Sequence, residues 1–113
     1  MKLSNCMHQF FDQYLSQLKG ASKQTIDSYR EAFTLLLPFA ARYHHVPIQD
    51  LQLKQLSFKV IVAFLDHIEN QRDNSPSTRN QRLAAIKSFA KMIGILYPHQ
   101  KDIAQTIRSI PQK

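Results

Sequence analysis

Four basic side chains, Arg79, Arg82, Lys87 and Lys91, stand within thirteen positions of one another in the stretch NSPSTRNQRLAAIKSFAK, residues 74–91. Residues 74–101 hold five Lys/Arg and no Asp or Glu. Ser75, Pro76 and Ser77 open this stretch with helix-start chemistry. A serine hydroxyl accepts from free backbone N–H groups, and proline suits the first helical position, where no N–H is required. The first turn of a helix carries partial positive charge and ordinarily holds acids. Here it holds two arginines, a pattern suited to receiving an anion, and a phosphate backbone is the evident candidate.

The nucleophile inventory is less promising. Cys6 is the only cysteine, so no intrachain disulfide can form, and the chain fits a reducing, cytoplasmic setting. His44 and His45 adjoin, but neighbouring helical side chains diverge by about 100°, and no Cys, Asp or Glu at helical spacing completes a metal site. The pair is read as cations favourably placed at a helix C-terminus. Tyr14, Tyr29, Tyr43 and Tyr97 lie on or beside apolar stripes and are read as core. No metal and no cofactor is expected.

These residues need elements to hold them. The chain has 113 residues, enough for one core. Only two glycines, Gly20 and Gly94, and five scattered prolines argue against a strand-rich sandwich. Met7, Phe10, Phe11, Tyr14, Leu15 and Leu18 give one apolar face and predict a helix over 3–18, ended by Lys19 and a left-handed Gly20. Ser22 is expected to cap a second helix with Ile26, Tyr29, Phe33, Leu36, Ala40 and Tyr43 inward. Lys23, Asp27, Arg30 and Thr34 form its polar stripe. Pro38 predicts a kink or an early end.

Leu51, Leu53 and Leu56 anchor a connection over 48–56. Ser57 starts a third helix with Val60, Ile61, Phe64, Leu65 and Ile68 inward, and with Asp66 and Glu69 as solvated positions. A polar loop, Gln71, Arg72, Asp73 and Asn74, leads to the fourth helix. Its buried stripe is Leu83, Ile86, Phe89, Ala90, Ile93 and Leu96. Its second stripe is Asn80, Ala84, Lys87 and Lys91, joined by Arg79 and Arg82. Arg79 has an alternative, a carboxylate inside the bundle. Gly94 and Pro98 mark the end of this helix. Ile103, Ala104, Ile107 and Ile110 predict a short last helix. The class is all-α: a four-helix bundle with a short additional C-terminal helix.

Charge is uneven along the chain. Residues 1–71 hold seven Lys/Arg against six Asp/Glu, and residues 72–113 hold eight against two, within a total net charge of +7. Such asymmetry points to a polyanionic partner. No apolar run approaches the ~20 residues that span a bilayer.

The series Ser22-x-x-Thr25-x-x-x-Tyr29-Arg30, then the helix around Ile61 and Ile68, then Ser77-Thr78-Arg79-Asn80-x-Arg82-Leu83-x-x-Ile86-x-x-Phe89 resembles the N-terminal core-binding domain of tyrosine recombinases, the phage-integrase family. The resemblance covers roughly residues 4–110. It implies a SAM-like orthogonal bundle that forms half of a clamp around duplex DNA. It further implies tetramers of the full-length recombinase on paired DNA sites, with the isolated domain monomeric. Residues 1–110 would then be the DNA-binding domain, and 111–113 the start of a linker to a separate catalytic domain.

That catalytic domain would carry a tyrosine nucleophile, arginines and a His-x-x-Arg element. Here His8, His44, His45, His67 and His99 are followed three places on by Phe11, Pro47, Ile48, Asn70 and Asp102. The chain itself is therefore expected to bind and not to cleave, with no catalytic residue. Its expected DNA contacts are Lys23, Gln24 and Arg30 on the second helix, and Ser77, Thr78, Arg79, Asn80, Gln81, Arg82, Lys87 and Lys91 on the fourth. Lysines and arginines would neutralise phosphates, and Asn80 and Gln81 could read a base edge. Two other classes stay open: a protein–protein module docking through its first and last helices, and an RNA-binding bundle, against which the lack of an exposed aromatic pattern argues.

Overall fold

The computed structural model describes residues 1–71 and 74–113. All regular elements among them are helical, apart from a single antiparallel bridge between Lys2 and Gln52. The backbone divides into two compact units, Met1–Gln55 and Leu56–Lys113. Arg72 and Asp73, expected in the loop before the fourth helix, lie outside the described residues.

In the first unit, α1 spans Leu3–His8 and continues as a π-helix over Gln9–Leu18. In the π turns the hydrogen bonds reach one residue further back, as from Lys19 N–H to the Tyr14 carbonyl at 2.8 Å. Ser16 Oγ also donates to the Phe11 carbonyl at 2.9 Å. Phe10, Phe11, Tyr14 and Leu15 are buried as the spacing predicts. Leu18 is not: it is 70% exposed, because the wider π turns carry it off the stripe. Gly20 follows with φ +59°, the left-handed conformation that glycine adopts without steric cost.

Helix α2 spans Lys23–His44, with Ser22 Oγ accepting from Thr25 N–H at 3.1 Å. It runs through Pro38 without ending early. Phe33, Leu36 and Ala40 are buried, while Tyr43 is 39% exposed and lies off the core. Phe33 closes an aromatic cluster, meeting Phe10 and Phe11 edge-on at 5.8 and 6.0 Å. His45 ends the helix at φ 57°, and His44 Nε2 lies 2.8 Å from the Gln55 carbonyl oxygen. Leu51 and Leu53 are buried in the connection, as expected. Burial also pushes the Cys6 thiol above its ordinary value, which keeps it protonated and unreactive.

In the second unit, α3 spans Phe58–Asn70, capped by Ser57, and α4 spans Pro76–Leu96, capped by Ser75. Pro76 occupies the start of α4, where its missing N–H costs nothing. A short 3-10 turn, Pro98–Gln100, leads to α5, Lys101–Arg108. Val60, Ile61, Phe64, Leu65 and Ile68 of α3 are buried, as are Leu83, Ile86, Phe89, Ala90 and Ile93 of α4. Ala85 and Met92 widen the α4 face beyond the expected stripe, and Leu96 falls outside it.

Helix α4 ends at Leu96, where the sequence places its end, with Gly94 inside the last turn. A Cβ there would stand 3.4 Å from the Ala104 Cβ, so the glycine and the alanine together let α5 approach closely. Ala104, Ile107 and Ile110 are buried.

The fully buried Phe89 ring tests the register of α4. Phe89→Ala should cost about 3–5 kcal/mol, the range for buried aromatic truncations. Urea unfolding measures it, and a loss under ~1 kcal/mol would put Phe89 at the surface.

Candidate nucleic-acid interface

Helix α4 contains no acidic residue, and its surface divides sharply. At about 100° per residue, Ser77, Gln81, Ala84, Ser88 and Lys91 fall within about 80° of one another, with Asn80 and Lys87 on one flank. Ser77, Gln81, Ala84 and Lys91 are exposed, and Asn80, Lys87 and Ser88 are half-buried. The stripe from Ser77 to Lys91 is about 21 Å long at 1.5 Å per residue. Its residues are hydroxyls, amides, a methyl group and ammonium groups: donors, close approach and positive charge. Ser88 belongs to this stripe and was not singled out by sequence reasoning. Its position eleven residues after Ser77, three helical turns on, is the signal that would have found it.

The two arginines of the opening turns do not join the stripe. Arg82 projects about 180° from Lys91 around the helix and is half-buried. Arg79, expected at a phosphate, is the one buried charged residue among those described, with its side chain 7% exposed. Its Nε stands 3.2 Å from Glu69 Oε1 on α3. Lys113 Nζ stands 2.9 Å from the same oxygen. Neither contact has hydrogen-bond angles, so both are charge attractions. Arg79 Nη1 donates to the Pro111 carbonyl and to Asn80 Oδ1, each at 3.3 Å.

Glu69 is consequently not the solvated position its spacing implied; its side chain is 15% exposed. The reason is that α4 brings a guanidinium against it, and a buried charge is tolerated when paired. The intrabundle carboxylate weighed for Arg79 is Glu69.

Ser77 is exposed in the first turn, and Thr78 is half-buried, its N–H donating to Ser75 Oγ at 3.1 Å. Gln81 is exposed. Asn80 is engaged by the chain itself: Nδ2 donates to the Lys113 main-chain oxygen at 2.7 Å, and Oδ1 accepts from Lys113 N–H at 3.0 Å.

On α2, in the first unit, Lys23, Gln24 and Arg30 are all exposed. Lys23 Nζ pairs with Asp27 Oδ2 at 2.9 Å, an exposed pair of small energetic weight. The Arg30 guanidinium lies 4.6 Å from the Phe11 ring centroid, a cation–π contact that holds it over an apolar surface. Among the described residues no cluster of His, Cys, Asp and Glu could hold a metal ion, and no helix is long and apolar enough to cross a membrane.

Among the described residues the regular elements are helices, and one of them, α4, carries a basic face with no acidic residue. Comparison with known proteins sharpens this. Residues 9–93 match the family of the phage integrase N-terminal SAM-like domain. Two proteins of Sinorhizobium fredii, y4rC and y4rD, whose names propose an integrase/recombinase, are 39% and 36% identical to this chain over 111 residues. Those matches cover 98% of this chain, but only 33% of y4rC and 40% of y4rD. No solved structure gives a significant match. The chain belongs to the phage integrase N-terminal SAM-like domain family.

Arg79→Ala separates a structural arginine from a phosphate contact. Leaving Glu69 with Lys113 alone should cost about 2–3 kcal/mol, below the ~3–5 kcal/mol of a fully buried broken pair because Glu69 keeps some solvent. The salt dependence of DNA binding should not change. A stability loss under ~0.5 kcal/mol, with a shallower salt slope, would return Arg79 to the phosphate backbone.

Proposed function

We propose that this chain is the DNA-binding portion of a site-specific tyrosine recombinase, docking the exposed stripe of α4 on duplex DNA at the recombination site. The observation that carries the reading is the acid-free α4, whose outward stripe offers Ser77, Gln81, Ser88 and Lys91 with Lys87 beside them. Lys87 and Lys91 neutralise phosphates and release counterions, which gives affinity without sequence information. In this reading the exposed Gln81 hydrogen-bonds a base edge, since an amide pairs well with adenine in the major groove. Ala84 between them lets the helix approach the duplex closely. Lys23, Gln24 and Arg30 supply a second set of contacts from α2, and Thr78 a peripheral one from α4.

Strand cleavage belongs, in this reading, to a separate catalytic domain, and residues 111–113 lead toward it. This chain's own part is to bind, orient and hold the duplex. Alone it is monomeric, and it associates with further copies only on DNA, a difference that sedimentation with and without duplex displays.

Salt titration of Lys87→Ala/Lys91→Ala tests the docking face. Binding should weaken about equally on every sequence, and the slope of log affinity against log salt should fall by about 0.9 per contact, nearly 2 in total. Lys54→Ala/Lys59→Ala serves as the control and should bind nearly as wild type. Equal losses in the two variants would mean diffuse attraction and no defined face. Tighter binding to RNA than to DNA in competition would move the chain to another class of partner.

A further inference from the structure

Residues 111–113 do not hang free. Ile110 is 1% exposed and anchors the chain just before them. Arg79 then holds the Pro111 carbonyl. Asn80 grips Lys113 at two points, donating to its main-chain oxygen and accepting from its N–H. Such a reciprocal pair fixes direction as well as position, as a rung between strands does. Glu69 attracts the Lys113 ammonium from the other side. Beyond the buried Ile110, three side chains therefore hold three residues.

The segment so held runs beside the α4 stripe. Gln112 and Lys113 form one wall of an open groove, and Ser77, Asn80, Gln81 and Ala84 form the other. A duplex approaching Ser77 and Gln81 from that flank would meet Gln112 and Lys113 first. Asn80, the amide expected to read a base, has its acceptor oxygen and one of its two N–H donors committed to the chain.

We propose that Glu69, Arg79 and Asn80 form a latch that holds residues 111–113 along α4, and that the closed latch keeps DNA from this edge of the stripe. The proposal rests on the reading that the stripe faces DNA. Asn80 and Arg79 are positioning residues in it. Exposed hydrogen bonds net little in water, so the two from Asn80 favour the closed form by about tenfold. DNA binding can open a latch of that strength, and apparent affinity is reduced by the fraction that is closed.

The test uses the 113-residue chain, wild type and Asn80→Ala, with a random-sequence duplex. Without DNA, exchange of the Lys113 N–H should be slower in wild type by about the same tenfold. With saturating duplex, that protection should vanish while the core amide of Phe89 stays protected. By anisotropy, Asn80→Ala should bind the random duplex tighter by about the factor that protection lost. A base-reading Asn80 would give no such gain.

If wild type and Asn80→Ala exchange Lys113 N–H equally fast, there is no latch. If protection survives saturating DNA, or Asn80→Ala binds no tighter, the latch does not exclude DNA, and the DNA reading stands without it. If neither protein binds duplex at all, the DNA reading falls, and the proposal falls with it.

Discussion

The ion pair between Arg79 of α4 and Glu69 of α3 sets the roll of α4 within its unit. A buried guanidinium is tolerated when a carboxylate meets it, and the observed rotation of the helix supplies one. That rotation turns Leu83, Ile86, Phe89, Ala90 and Ile93 inward with Arg79. Ser77, Gln81, Ala84 and Lys91 then have nowhere to go but outward. The pair thus works less as a source of net stability than as a register mark. It converts a helix that is basic throughout its opening turns into one with a defined outer face.

The same carboxylate ties together three parts of the unit. Glu69 comes from α3, Arg79 from α4, and Lys113 from beyond α5. Close packing of Gly94 against Ala104 brings α5 onto α4 and delivers the chain after Ile110 back to the start of α4. The candidate interface is therefore built where the apolar packing of three helices and one charge cluster agree. The burial pattern selects which residues compose it.

Much of this was legible in the sequence because the signals are local. Ser22, Ser57 and Ser75 each cap the helix they precede, since a hydroxyl three residues before a free N–H needs no tertiary help. The apolar stripe of α3 follows from 3.6-residue periodicity. What escaped was what periodicity cannot carry. Leu18 left its stripe because the turns around it are π and not α. Glu69 read as solvated because its partner is ten residues on, across a loop. Arg79 and Arg82 looked like their neighbours in type, and only the roll of α4 separates a buried arginine and a flanking one from the outward stripe. The contact of Asn80 with Lys113 was not legible because the two stand thirty-three positions apart.

The most direct measurement is the map of backbone amides perturbed when the 15N-labelled 113-residue chain is titrated with duplex DNA at low salt. Shifts should concentrate at Ser77, Gln81, Ala84, Ser88 and Lys91, with a second group around Lys23, Gln24 and Arg30. Residues of the opposite α4 face, such as Ile86 and Ile93, should stay in place. Shifts that spread evenly over all exposed lysines, or that leave α4 untouched and fall on α5, would contradict it.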